Sequence, residues 1–284
     1  MDRLRKCAVY ISDNFKIYFS SGKTVLVAAG TIFIAWLTLH PLGTYAAENG
    51  ERLHALELLP QYTSGTLQML IIAMGLFLLL CDAPFLNHVT MYRLVRGDRL
   101  SFYMGQVIYI IAVSGLYTLW IWICTLVGVA GKLRWTGTWS RTVTVAGKNS
   151  NMTGIRLING FSDRLVKELA PGQAFFRAVL GLFLFSIFAG IMLCTVNMIF
   201  KKISGNMILG ILIGSDYALT SIYGNGKFFY IQPLSMIKVA GQDLGSSPYS
   251  PTICYVAVFL SVGSLLFLLL GLIHTHYSRE ITGL

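Results

Sequence analysis

Charge is what this chain of 284 residues has least of. Asp, Glu, Lys and Arg make up 12% of it, about half the quarter usual in soluble domains, so a water-covered surface on every side is excluded. No internal repeat is visible, which leaves an inverted-repeat secondary transporter without support. The five cysteines show no CxxC spacing, and zinc or dithiol motifs are thereby excluded. Cys81, Cys124, Cys194 and Cys254 lie in or at the ends of apolar runs and read as buried, inert thiols, while Cys7 reads as an interfacial residue. HExxH, GxSxG and clusters of acids within the apolar runs are also missing, so the machinery of an intramembrane protease or lipid transferase is not there, and the chain is expected not to be an enzyme.

What fills the sequence instead is apolar. Hydrophobic residues make up 55% of it, and the mean hydropathy is +0.66. They gather into runs of a length that needs lipid as solvent, about 20 residues for about 30 Å of hydrocarbon. Six runs predict spans over approximately 24–40, 63–81, 104–131, 176–200, 205–223 and 252–274. The first closes on Trp36, His40 and Pro41, as at a headgroup layer. The net charge of +10 sits almost entirely between the runs, where it meets headgroups or protein partners, and nucleic acid is not an expected partner.

Ahead of the first run, Leu4, Cys7, Ala8, Ile11, Phe15, Tyr18 and Phe19 recur at three and four residues among Arg3, Arg5, Lys6, Asp13 and Lys16. The pattern predicts an amphipathic interfacial helix over 1–22. A signal peptide cleaved near Tyr45-Ala46-Ala47 competes with it, but the basic stretch is long for that role and a retained anchor is favoured. The fold class expected is thus an all-α integral membrane protein, one transmembrane domain over 1–284, with six spans after the interfacial helix. With the N-terminus inside, 11 basic residues fall on the inner side and 10 on the outer. The short connections decide for both termini in the cytoplasm of a cell inner-membrane protein.

Two outer connections have texture. Trp135, Thr138, Trp139 and Thr142 to Val145 predict a short extended hairpin, followed by helical spacing at Ile158, Phe161, Leu165 and Leu169. Residues 224–251 gather Gly, Pro and Ser around Tyr230, Pro233 and Pro248, which predicts irregular or partly re-entrant structure.

Several smaller patterns also occur. Ser21-Gly22-Lys23-Thr24 imitates the end of a phosphate-binding loop, but Ile17 stands where the motif needs Gly, and any ATP-driven role therefore needs a separate nucleotidase. Asp216 is the sole acid inside an apolar run; it lines a transport path, pairs with a cationic group on a neighbouring helix, or sits near the outer mouth of a short fifth helix. Gly210 and Gly214 form a small-xxx-small pair suited to close helix packing. His274 and His276 lack a third ligand nearby, so no metal is expected. Asn151-Met152-Thr153 is a formal glycosylation acceptor that matters only in a secretory-pathway host.

The most marked inner connection runs from Cys81-Asp82-Ala83-Pro84-Phe85 to Arg93, Arg96, Gly97 and Arg99. Asp82 and Pro84 can start a short helix there, and the arginines recur every three residues as one basic stripe. Read alone, it is a positive-inside loop against lipid phosphate.

With that loop, the chain resembles the type-2 ABC exporter permeases, in particular the small bacterial six-span members paired with a separate ATPase. The amphipathic N-terminal helix, Ala170-Pro171-Gly172-Gln173-Ala174 before the fourth span, Val196-Asn197-Met198 and Lys201-Lys202-Ile203-Ser204-Gly205 at its end, and Tyr230-Ile231-Gln232-Pro233 fit the same pattern. The resemblance covers nearly the whole chain; the basic 132–173 loop is larger than a minimal member would carry. It implies that residues 83–103, with Asp82, form the coupling helix and loop on the ATPase, with Arg93, Arg96, Gly97 and Arg99 in it and the N-terminal helix as a second contact. It further implies that ATP and Mg are held by the ATPase subunits, with no cofactor in this chain, and that a second permease copy or sister permease completes the path. Export of a peptide, lipid-like or drug-like substrate is the implied activity. A membrane sensor or immunity protein that binds a peptide through its outer loops is the alternative, and a membrane-embedded transferase the third.

Overall fold

In hydrocarbon a backbone has no water to bond, so an uncharged run satisfies its N–H and C=O groups within a helix. The computed structural model describes residues 2–85, 99–135, 137–148, 163–200, 202–223, 227–242 and 250–277, and is about 83% helical. Helix α1 (Asp2–Ser20) leads through Ser21 into α2 (Gly22–Glu48). Two short helices, α3 (Leu58–Ser64) and α4 (Thr66–Leu80), follow a two-residue strand β1 (Leu53–His54). Next come α5 (Arg99–Gly128), β2 (Leu133–Arg134), α6 (Arg141–Lys148) and α7 (Asp163–Glu168). The chain continues through α8 (Pro171–Ile199) and α9 (Lys202–Tyr223), then a 3-10 turn over Lys227–Tyr230, α10 (Pro233–Met236) and a second 3-10 turn over Val239–Gly241, and closes on α11 (Ile253–Tyr277).

Four of these helices, α2, α5, α8 and α11, are long and apolar enough to cross a membrane, and the bent pair α3 and α4 makes a fifth. The apolar run at 63–81 does not form one straight helix. Gly65 adopts an extended backbone, and the axis turns by 93° there. Its straight part, α4, is about 22 Å long at 1.5 Å per residue, short of a full crossing on its own. Helix α9 is not among the long apolar set: Lys202, Asn206, Ser215 and Asp216 dilute its 22 residues.

Helix α8 forms the centre. Of its most apolar stretch 72% is buried, against 17% for α11, which lies at the periphery with Val258, Val262, Leu265 and Leu269 outward. Apolar surface alone does not hold helices together in lipid; close approach and polar contacts do. Gly128 lets α5 meet α2, where an added Cβ would stand 2.9 Å from the Ala35 carbonyl oxygen. Tyr103 ties three helices: its hydroxyl lies 3.0 Å from Thr195 Oγ1, and Thr195 donates to the Phe267 carbonyl at 3.1 Å.

Helix α1 packs along the start of α5. Cys7 Sγ donates to the Ser101 carbonyl at 3.2 Å, Tyr10 meets Phe102 edge to face, and Asn14 Nδ2 donates to Gln106 Oε1 at 3.2 Å. This buried stripe is turned from the apolar stripe expected of the sequence. Ala8 and Phe19 remain exposed, and Ile11 and Phe15 are half-buried, because the cleft beside α5 has polar partners for Asn14 that lipid lacks.

The expected hairpin near 135–145 does not form. β2 instead pairs in parallel with β1, Leu53 opposite Leu133 and His54 opposite Arg134, and residues 141–148 are helical. Two acids dictate this. Glu51 accepts from Thr142 N and Oγ1 at 2.9 and 2.8 Å, while Glu57 accepts from Ser140 N at 3.0 Å, Ser140 Oγ at 2.6 Å and His54 N at 2.9 Å. Both carboxylates sit at the N-terminus of α6, where unpaired N–H groups favour negative charge. The spacing at Ile158 and Phe161 and the acceptor at 151–153 lie outside the described residues; Leu165, in α7, and Leu169, just after it, are buried.

Candidate functional site

The expected coupling loop is anchored where it leaves α4. Lys23 Nζ meets Asp82 Oδ2 at 2.5 Å, with both side chains about half exposed. Pro84 is buried behind it. Asn197, in the last turn of α8, donates from Nδ2 to the Ala83 carbonyl at 2.7 Å and accepts at Oδ1 from Gly205 N at 2.8 Å. Asn206 Nδ2 donates to the Cys81 carbonyl at 3.1 Å. One amide side chain thus links the end of α8, the start of α9 and the exit of α4. Arg99 opens α5; Arg93, Arg96 and Gly97 lie outside the described residues. Sequence patterning gave no weight to Asn197 alone, since a single Asn carries no period, and only its place in Val196-Asn197-Met198 drew notice.

Asp216 lies within the protein rather than facing lipid. It is 1% exposed, and its carboxylate is held by one serine of the following segment: Ser235 N donates to Oδ1 at 3.0 Å and Ser235 Oγ to Oδ2 at 2.9 Å. Ser235 Oγ also lies 2.9 Å from Thr220 Oγ1, one turn further along α9. Lys238, 4% exposed, supplies the cationic field on Asp216, and its Nζ reaches Thr66 Oγ1 at 3.5 Å beside the Gly65 break. A buried carboxylate and a buried ammonium each cost several kcal/mol unless compensated; here Ser235 bonds the carboxylate, Thr66 Oγ1 lies within reach of the ammonium, and each charge lies in the field of the other without a direct ion pair. Two irregular pieces of backbone, the α3–α4 bend and the 227–242 segment, thus meet over one acid and one base. Irregular backbone inside a helical membrane protein is tolerated where it is packed in protein or lines a cavity.

Gly210 and Gly214 are both exposed on α9, and a Cβ on either would meet nothing within 4 Å. Gly205 makes the close approach instead; a Cβ there would lie 2.8 Å from the Leu193 carbonyl oxygen. Among the described residues no three His, Cys, Asp or Glu side chains come together as a metal site. His274 and His276 stand in the last turn of α11.

Beside β1, burial pushes the Glu57 carboxyl above its ordinary range, while the bonds from Ser140 and His54 and the field of Arg134 pull it partly back. Burial, and then Arg134, push the His54 imidazole below its ordinary range. Compared with protein-family models, with curated proteins and with solved structures, the chain gives no match in any of the three.

Proposed function

We propose that the chain is the membrane-spanning permease subunit of an ATP-driven ABC exporter, seated in the cytoplasmic membrane with both termini inside. In this reading α9 is a further crossing, so that α2, the α3–α4 pair, α5, α8, α9 and α11 make six, and α1 lies along the inner surface with Phe19 and Ala8 turned to lipid. The observation that carries the proposal is the clustering at one end of the bundle. There α1 packs on the start of α5, Lys23 holds Asp82, and Asn197 holds Ala83. The two regions that the resemblance assigns to the ATPase, the N-terminal helix and the loop after α4, are therefore neighbours fixed to the ends of five helices.

Such an anchorage suits mechanical coupling, because a push on the loop reaches α2, α8 and α9 through short polar links rather than through slack chain. ATP and Mg belong to the partner ATPase subunits, and the work of this chain is conformational. A second copy or sister permease completes the path, and the exposed Gly210 and Gly214 face of α9 suits close contact with it. A substrate of peptide, lipid-like or drug-like character leaves past the Asp216, Ser235 and Lys238 cluster, whose irregular segments form the outer closure. Co-purification tests the proposal: the chain brings an ATPase with it from its native host, and the triple change Arg93→Glu, Arg96→Glu, Arg99→Glu loses that partner while the permease stays in the membrane. If the triple variant keeps the ATPase, the docking surface is wrong; if the unaltered chain brings none, the exporter reading fails.

A further inference from the structure

Between α1 and the helices it packs against lies a cavity of about 230 Å³, lined by Asn14, Tyr18, Lys23, Asp82, Phe85 and Tyr109 among others. At roughly 30 Å³ per water in the liquid, it has room for a small polar group of several heavy atoms. Its charge is balanced: one ammonium, Lys23, stands against one carboxylate, Asp82, at the mouth, with 47% and 53% of their side chains exposed. Aromatic rings of Tyr18, Phe85 and Tyr109 stand in the wall, with Phe85 and Tyr109 edge to face at 4.9 Å.

Tyr18, Thr24 and Leu79 line this cavity and also a second one of about 280 Å³. The second is apolar and runs between α2 and α5 over Val27, Ala28, Leu116, Leu119, Trp120 and Ile123. Leu116, Leu119 and Ile123 are 40–49% exposed, so the groove opens outward along the face that meets lipid. A polar, charge-neutral chamber thus continues directly into an apolar trough.

We propose that these joined cavities hold one zwitterionic phospholipid of the surrounding bilayer, headgroup in the chamber and an acyl chain in the groove. The phosphate lies against Lys23 Nζ and the N-terminus of α2, where Ser21 already caps Lys23 N at 3.2 Å. The headgroup ammonium lies against Asp82 and the faces of Tyr18 and Tyr109, since a cation over an aromatic ring is attracted by its quadrupole. Charge complementarity selects this occupant. A lipid with net negative charge satisfies Lys23 but is set against Asp82, whereas a zwitterion offers a partner to each. The lipid would wedge α1 in its place on α5, and the inference stands whether or not an ATPase is the partner.

The test is native mass spectrometry of the full chain released from nanodiscs of equal parts phosphatidylethanolamine and phosphatidylglycerol. One tightly retained lipid is expected, phosphatidylethanolamine over phosphatidylglycerol by about fivefold or more, the ratio worth one favourable charge contact near a membrane surface. Asp82→Asn and Lys23→Gln, both at half-exposed positions, should remove the preference without lowering the melting temperature by more than a few degrees. Ala28→Trp, which fills the groove, should remove retention itself. Equal retention of the two lipids by the unaltered chain, or a preference for phosphatidylglycerol, overturns the proposal. So does a preference unchanged in both charge variants, or retention unchanged in Ala28→Trp.

Discussion

Ser235 gives both of its donors to Asp216, the backbone N–H to one carboxylate oxygen at 3.0 Å and the hydroxyl to the other at 2.9 Å. A residue in a four-residue helix so fixes the only acid of α9, and through it the 227–242 segment is pinned to a helix that ends some residues earlier. Lys238 lies near enough for its charge to act on the same carboxylate, so the lock has an electrostatic side as well.

Asp216→Ala should therefore destabilise the purified chain by about 1 to 3 kcal/mol, because it leaves two buried Ser235 donors unmade and removes the field that favours the buried Lys238 charge. Replacing both, as Asp216→Ala with Lys238→Met, should recover the electrostatic part of that loss, since the buried ammonium is removed along with the carboxylate that favours it. Melting curves of the two variants in one detergent decide it; a double variant no more stable than the single one refutes the electrostatic part.

Glycines of α9 should respond in opposite senses. Gly205→Ala drives a Cβ toward the Leu193 carbonyl oxygen and Asn197, a cost of about 1 to 3 kcal/mol by overpacking. Gly210→Ala and Gly214→Ala meet open space and should leave stability unchanged or raise it by up to about 1 kcal/mol, the usual helical preference for Ala. Thermal melts of the three single variants are sufficient.

The same two positions test the proposed contact with a second copy. Gly210→Leu with Gly214→Leu should leave the monomer folded, judged by its melting curve, and abolish cross-linking between copies through α9. Cross-linking that survives places the contact on another helix.

Glu57 predicts a pH dependence of definite sign. Its carboxyl titrates above the ordinary value near 4.5, so the folded cap binds the proton more tightly than the unfolded chain does. The stabilisation is complete below about 4.5 and is lost as pH rises through the raised value. Protection of the Ser140 and Val143 amides against hydrogen exchange, corrected for intrinsic rates, should fall over that range. Glu57→Gln should remove this component while leaving any part due to His54, whose lowered value acts instead as pH falls below about 6.5.

Much of the fold was legible because lipid is a severe solvent. The run at 104–131 became Arg99–Gly128 and the run at 252–274 became Ile253–Tyr277, for an uncharged stretch of that length has no other low-energy backbone. Helices α2, α5 and α8 extend past the runs that mark them, since backbone bonding continues into polar residues. The run at 63–81 hid the Gly65 bend because an apolar count carries no information on axis direction. Near 135–145, β-branched residues suggested strands, and Glu51 and Glu57 overrode that local preference by capping a helix. Asp82 was picked out by its loop, but Lys23, its partner, was noticed only for an accidental likeness to a phosphate-binding string.

The sequence by itself determined that this protein is made of apolar helices, where most of them run, and that Asp216 is exceptional, since each follows from composition and period along the chain. The tertiary structure alone decided that Lys23 meets Asp82, that Asn197 links three helix ends, and that Ser235 and Lys238 surround Asp216. Those partners are 59, 114 and about 20 residues apart, and at such separations pairing is set by how helices pack, a property that no local pattern encodes.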